Sequence, residues 1–285
     1  MRIRNLLAAA FSLVAITSLA GCGNEVNTQL ATEGVLVVGM ECAYAPFNWT
    51  ETTKTDSNVA IANVPNAYAD GYDVQVAKII ADELGLELQV KALDWGALIN
   101  NLNTDGIDAI IAGMSPTPER LESIDFTSAY YESTHVLLVQ QSSSYASATS
   151  LDDFAGAKVI GQTGTLYASL VPQAVEHGAI AGTDLNTVPE IVNAIIHGTV
   201  DATILEEPVA KGVVAQYASS STPLTYVKLT NGGFTVADED RIVSIGVRKG
   251  FVLTEQINDV LANVITSDVR NQLMEQAIEN APSEE

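Results

Sequence analysis

Two kinds of apolar spacing alternate along this chain. Short unbroken runs rich in β-branched residues, VLVVGM at 35–40, IDAIIA at 107–112, KVIGQ at 158–162 and ATIL at 202–205, suit strands buried on both faces of a parallel sheet. Between them the period lengthens. Asp73 to Leu84 sets Ala77, Ile80, Ala81 and Leu84 on one helical face, and Gly85 stops it. Ala97 to Leu102 predicts a short helix, Leu166 to Glu176 a helix interrupted by Pro172, and residues 189–198 a helix with Ile191, Ala194 and Ile195 on one side. LELQVKA at 86–92 alternates as a half-buried strand does. Residues 51–71 show no clean period and read as a long loop or irregular hairpin. Two helices near 254–265 and 268–279, preceded by VRKG at 247–250, close the chain.

The order β, α, β, α, β predicts a doubly wound α/β lobe. After a polar break at 142–150 the same order resumes with different residues, which predicts a second lobe. At 285 residues and 47% hydrophobic the chain has enough material for two modest cores. The extended segment ESTHVLLVQ at 132–140 would join them, leaving a cleft where ligands preferentially bind. The expected division is 34–133 with 243–285 as the first lobe and 134–242 as the second.

The first residues change the picture of where the protein works. Arg2 and Arg4 precede a 15-residue apolar stretch, Leu6 to Ala20, too short to span a bilayer, so residues 1–21 read as a signal peptide. LAGC at 19–22 resembles a bacterial lipobox, in which Cys22 takes a diacylglycerol and becomes the mature N-terminus. Two acyl chains suffice for stable anchoring where one does not. Residues 22–33 would then be a lipidated tether, and the protein would sit on the outer face of the cytoplasmic membrane.

With 13 Lys+Arg against 35 Asp+Glu, the chain repels nucleic acid and anionic lipid surfaces. With Cys22 acylated, Cys42 has no disulfide partner. There is no CxxC or HExxH, and His135, His177 and His197 are far apart in sequence, so neither a metal nor a cofactor is expected.

In open α/β sheets ligands bind beyond the carboxyl ends of the strands. Those positions hold Glu41 to Trp49, Asp94 and Trp95, Ala112 to Arg120, Gln162 to Leu166, and Glu206 with Glu207. Aromatics, a glycine-threonine turn, an arginine and a carboxylate pair together suit a zwitterion.

These segments also carry a resemblance. GYDVQVAKIIADEL at 71–84 is similar to the signature of the bacterial extracellular solute-binding proteins of family 3, the polar-amino-acid receptors of ABC importers, with Gln75 where that signature usually has an acid on a solvent-facing position. YAPF at 44–47, IDAIIAGMSPTPER at 107–120, DFTSAYY at 125–131, GQTGT at 161–165 and VDATILEEPVA at 200–210 resemble family segments in the expected order. The resemblance implies a two-lobed, periplasmic-binding-protein-like fold of type II, each lobe an open, mostly parallel sheet flanked by helices.

For the site, the resemblance implies that Arg120 grips a carboxylate through two charge-assisted bonds, beside a helix start with Thr117 as N-cap and Pro118 as first residue. A surface ion pair from Arg120 to Glu119, Glu122 or Asp125 is the competing role. Thr165, after Gly164, would add donors to the same carboxylate, and Glu206 would accept an α-ammonium group, with Glu207 instead opening the helix that Pro208 continues. Tyr44, Phe47 and Trp95 correspond to side-chain-pocket positions, joined by Gln162 and Leu166, while Trp49 belongs to core or rim. At Ala112 and Gly113, where relatives often carry serines, backbone groups would have to bind; Gly113 and Ser115 are both candidate ligand positions.

Glu41 corresponds to a position at the distal end of the ligand, where an acid favours lysine, arginine, ornithine or histidine. An acid facing water there leaves glutamine or cystine open. The implied protein is a monomeric receptor that performs no chemistry and hands its amino acid to a cognate ABC permease. A sensor for a membrane partner, or a dehydratase on the same scaffold, are the alternatives.

Overall fold

The computed structural model describes residues 29–282; the expected signal peptide, 1–21, and the expected lipidation site, Cys22, lie outside them. The first run, Val35–Met40, lies between Glu87–Ala92 and Ala109–Ile110, parallel to both. Val38 pairs with Val90 on one side and Ala109 on the other, and the strand is buried from Leu36 to Met40 on both faces, which is why it carries no polar alternation. The sheet continues through Ile242–Val247, antiparallel to Ala109–Ile110, to Asp125–Glu132 at its far edge.

The second sheet repeats the scheme. Its order is Ile180–Ala181, Lys158–Ile160, Ala202–Glu206, His135–Gln140 and Leu224–Val227. The first three are mutually parallel, and His135–Gln140 is antiparallel to both its neighbours. In each sheet, therefore, four strands run one way and the fourth in the order opposes them. The protein is two-lobed, with mixed α/β sheets and flanking helices.

The chain passes between lobes through two adjacent segments. It leaves the first sheet at Glu132 and enters the second at His135, and it returns ahead of Ile242. The amide of Ser133 donates to the carbonyl of Arg241 at 2.9 Å, so the two crossings are bonded to each other. The segment 132–140 is thus not a free connector: its two ends belong to different sheets.

Helix Tyr72–Leu84 forms where the 3.6-residue period predicts it, burying Val76, Ala77, Ile80 and Ala81, and Gly85 ends it in the left-handed region at φ 66°. The expected short helix is split into a 3₁₀ turn, Trp95–Ala97, and helix Leu98–Asn103. Pro172 is accommodated inside Leu166–Glu176. Of the two readings of residues 51–71, the structure has the irregular hairpin: Val59–Ala60 pairs antiparallel with Tyr68–Asp70, within a small sheet that Asn48–Glu51 and Ala43–Tyr44 complete. Strands of two to four residues are too short to show a period. Gln75 reaches this sheet, its Nε2 donating to the Ser57 carbonyl at 3.0 Å and Asp70 at 3.2 Å, so it is a packed, half-buried residue and not a solvent-facing one.

A buried ion pair fixes the base of the first lobe. Arg248, fully buried, places Nη2 2.9 Å from Asp108 Oδ1 and donates to the carbonyls of Ile107 and Gln29 at 2.6 Å each. Asp108 in turn accepts the amides of Ala31 at 2.8 Å and Val37 at 3.0 Å. Gln29 and Ala31 are therefore already fixed to the lobe, inside the stretch expected to be tether.

Candidate functional site

The carboxyl ends of the parallel strands of both sheets converge on one cleft. Glu41, Tyr44, Trp95, Gly113, Ser115 and Arg120 from the first lobe face Gln162, Thr165, Leu166 and Tyr167 from the second around a narrow cavity of about 20 Å³. Nine of the eleven expected site positions line it, and Phe47 and Glu206 do not. Phe47 is fully buried and lies under Tyr44, ring to ring at 5.6 Å, with Tyr72 and Tyr131 at its edges. It supports the aromatic wall from behind.

Arg120 leaves its nearby acids alone. Asp125 is taken by Lys249 at 3.1 Å, while Arg120 donates from Nη1 to the Ser115 carbonyl at 2.8 Å and lies 5.0 Å from the centre of the Trp95 ring. Burial lowers its pKa from the ordinary arginine value, with opposing contributions from Tyr167 and several acids. One bond to Ser115 uses one of five guanidinium donors, and a planar fork with donors to spare, stacked on an aromatic face, is prepared for an anion. Thr117 and Pro118 occupy the N-cap and first positions of Pro118–Ser123 as expected, but the threonine side chain makes no capping bond and the helix is six residues long.

Thr165 plays a different part from the one expected. Its hydroxyl donates to the Gln162 carbonyl at 2.7 Å and accepts the Ala168 amide at 3.5 Å, so its hydrogen is spent on the turn. It caps helix Leu166–Glu176, whose next two amides, of Leu166 and Tyr167, have no intrahelical acceptor and belong to residues lining the cleft. Gly113 is likewise committed: its amide donates to Tyr130 Oη at 3.2 Å. It sits at φ 63°, and a Cβ there would be 2.9 Å from a Tyr44 ring carbon, so a serine would not fit.

Glu206, 3% exposed, ends strand Ala202–Glu206 and accepts hydroxyls from Tyr44 across the cleft and from Tyr167 in its own lobe. Burial raises its carboxyl above the ordinary range, and the tyrosines pull against that rise. Tyr167 is the residue that the sequence reading missed. Its only signal was its place two residues after the cap Thr165, on the turn of helix that faces the cleft. Glu207 opens helix Glu207–Gln216 and is held outside the cleft by Lys211 at 2.8 Å, Lys228 at 2.6 Å and the Thr134 hydroxyl at 3.0 Å.

Glu41 Oε1 accepts Gln162 Nε2 at 2.8 Å, a second bond between lobes. Burial pushes the Glu41 carboxyl up to about 7, with the Gln162 bond opposing and the charge of Asp94 adding. Cys42, beside it, is buried and free, its amide held by Asn48 at 2.7 Å, and burial pushes its thiol up to about 12. Beneath the cleft Asp73 joins two walls, accepting Tyr130 Oη at 2.6 Å and Asn48 Nδ2 at 2.8 Å. His135 is pushed down to about 4 by burial and is a neutral imidazole at neutral pH. Trp49, 4% exposed, is core. Among the described residues no group of three or more His, Cys, Asp or Glu side chains could hold a metal ion.

Two facing α/β lobes with a charged, aromatic cleft between the carboxyl ends of their strands define a solute-binding protein. A family model, bacterial extracellular solute-binding proteins, family 3, matches residues 36–280, and the chain belongs to that family. It is 29% identical over 259 residues to the arginine-binding extracellular protein ArtP of Bacillus subtilis (strain 168), covering 90% of this chain and 89% of the relative. Among solved structures it is similar to an amino acid ABC transporter substrate-binding protein, AbpA, from Streptococcus pneumoniae bound to L-arginine, with TM-score 0.73 over 90% of this chain and 99% of that one; at 24% identity this likeness shows the fold alone. An ancestral arginine-binding protein bound to arginine has 28% identity and TM-score 0.67, over 85% of this chain and 97% of its own. Among the described residues no helix is long and apolar enough to cross a membrane.

Proposed function

We propose that this protein is an extracytoplasmic receptor for a cationic amino acid, which it closes around and delivers to an ABC permease. The observation that carries this reading is the charge pattern around the cleft: half-buried Arg120 and Glu41 in its lining, and the buried carboxylate of Glu206 behind Tyr44 and Tyr167. One cation and two carboxylates complement a ligand with one carboxylate and two cationic groups. Arg120, with the helix-start amides of Leu166 and Tyr167, takes the α-carboxylate. Glu206 takes the α-ammonium, and Glu41 the side-chain cation. Several relatives are named as arginine-binding proteins, which supports the same class.

Function follows from hinge closure. With 34–133 and 243–285 as one lobe and 134–242 as the other, the paired crossings at Ser133 and Arg241 form the hinge. Ligand bound to the first lobe favours the closed form because Glu206, Gln162 and the 164–167 turn then complete its shell. The permease recognises that form, and no chemistry on the ligand is needed. A signal peptide at 1–21 and diacylglycerol on Cys22 place the monomer on the outer face of the cytoplasmic membrane.

A thermal-shift screen of the common amino acids tests the reading, with arginine, lysine, ornithine and histidine expected to raise Tm most. Stabilisation by acidic or apolar ligands alone overturns it. Recovery of a chemically changed ligand by mass spectrometry would overturn the receptor role in favour of an enzyme.

A further inference from the structure

We propose that Gln162 and Glu41 together form a two-acceptor fork across the cleft that selects a guanidinium over an ammonium group, so that arginine is bound in preference to lysine. This rests on the cationic-ligand reading above and sharpens it.

The orientation of the Gln162 amide carries the inference. Its nitrogen lies 2.8 Å from Glu41 Oε1 and 2.9 Å from the Asn186 carbonyl. Both neighbours are acceptors, so the nitrogen must face them and both its hydrogens are used. The amide oxygen is turned the other way and accepts no bond from the described residues. Glu41 offers its second oxygen in the same manner. Both residues line the cleft, and Gln162 is 3% exposed.

Paired acceptors suit one cation better than the other. A guanidinium presents N–H donors in a rigid plane and can bond two oxygens side by side, whereas an ammonium is a compact point charge whose three donors diverge. Lysine would satisfy Glu41 and, once the cleft has closed, leave the Gln162 amide oxygen without a partner, a cost that discriminates more strongly than a missing methylene does.

The fork is held from behind. Asn186, whose carbonyl takes the second Gln162 hydrogen, donates its own amide to Glu190 at 3.1 Å, and Glu190 is part of the capping box that starts helix Val188–Ile196. Gln162 is thus tied to a helix start of the second lobe and Glu41 follows the first strand of the first. The fork exists only when the lobes meet, so the discrimination is read at closure and appears in the dissociation rate.

Calorimetric titration of the wild-type protein with arginine and with lysine at pH 8 tests this, alongside Gln162→Leu and Gln162→Asn. Wild type is expected to prefer arginine by at least about tenfold. In both variants arginine affinity falls by about tenfold and lysine affinity by less than about threefold, so the ratio collapses while the ligand-free protein stays folded. Equal wild-type affinities, or a ratio preserved in a folded variant, overturn the fork. If neither cation binds the wild type, the cationic reading itself fails, and with it this inference.

Discussion

The indole N–H of Trp95 donates to the carbonyl of Gly164 at 2.9 Å, bonding the first lobe to the turn that starts a helix of the second. The same ring carries the Arg120 guanidinium on its face at 5.0 Å. One side chain thus links Arg120 to the opposing lobe. Trp95→Phe keeps an aromatic face but loses the cross-lobe bond. Ligand affinity is expected to fall about fivefold, mostly through faster release, as measured by stopped-flow fluorescence. Trp95→Ala loses the stacking as well and costs more.

Arg120 makes its bond inside its own turn, to Ser115, and not to the acids that follow it. Arg120→Ala should therefore abolish stabilisation by every amino acid while the ligand-free protein melts within a few degrees of wild type. Arg120→Lys should recover little, because a point charge cannot reproduce a planar, two-bond grip. Unchanged affinity in the alanine variant would remove Arg120 from the site.

The Glu41 carboxyl, raised to about 7 by burial, makes cationic-ligand affinity depend on pH. Below that value the free protein holds a proton on Glu41, which must leave before a cation can pair there, so affinity weakens as pH falls and levels off above it. Asp94 and Gln162 are the neighbours that set the value, and Glu206, also raised, acts in the same direction. His135, at about 4, stays neutral over this range. Calorimetry between about pH 5 and 8 should show the trend, and Glu41→Gln should flatten its upper part.

Gly113 combines a positive φ with a Tyr44 ring carbon 2.9 Å from where a Cβ would stand. Gly113→Ala is expected to cost about 1–3 kcal/mol of stability. It should also weaken ligand binding, since Tyr44 must shift away from Glu206. Chemical denaturation and titration of the same sample check both effects.

Arg248 and Asp108 are both fully buried, 2.9 Å apart. Arg248→Ala leaves a buried carboxylate without its partner and should destabilise the protein by about 3–5 kcal/mol in urea unfolding. Ligand affinity in the surviving folded fraction should be unchanged, because neither residue lines the cleft.

Strands and helices with a full period were legible in advance. VLVVGM, ATIL and the Tyr72–Leu84 helix declare themselves because their neighbours on both faces are apolar or because one face repeats over three turns. Asp125–Glu132, Ile242–Val247 and Leu224–Val227 were not read as strands. Asp125–Glu132 is an edge strand of mixed exposure, and its pairing with Ile242–Val247 is interrupted by register shifts. Long-range pairing of this kind leaves a weak local period.

For the site, the chain itself determined which residues follow the strands, since ligand positions in such sheets are fixed by topology and the strand ends can be counted along the sequence. What only the tertiary structure decided was how each donor is spent. Thr165 gives its hydroxyl hydrogen to the turn, Gly113 its amide to Tyr130, Phe47 its ring to the wall behind Tyr44, and Tyr167 its hydroxyl to Glu206. Two of those partners, Tyr130 and Glu206, lie well outside the local segment of the residue they hold. A hydrogen bond is used or free according to the atoms brought within about 3 Å by folding, and local sequence does not encode that distance.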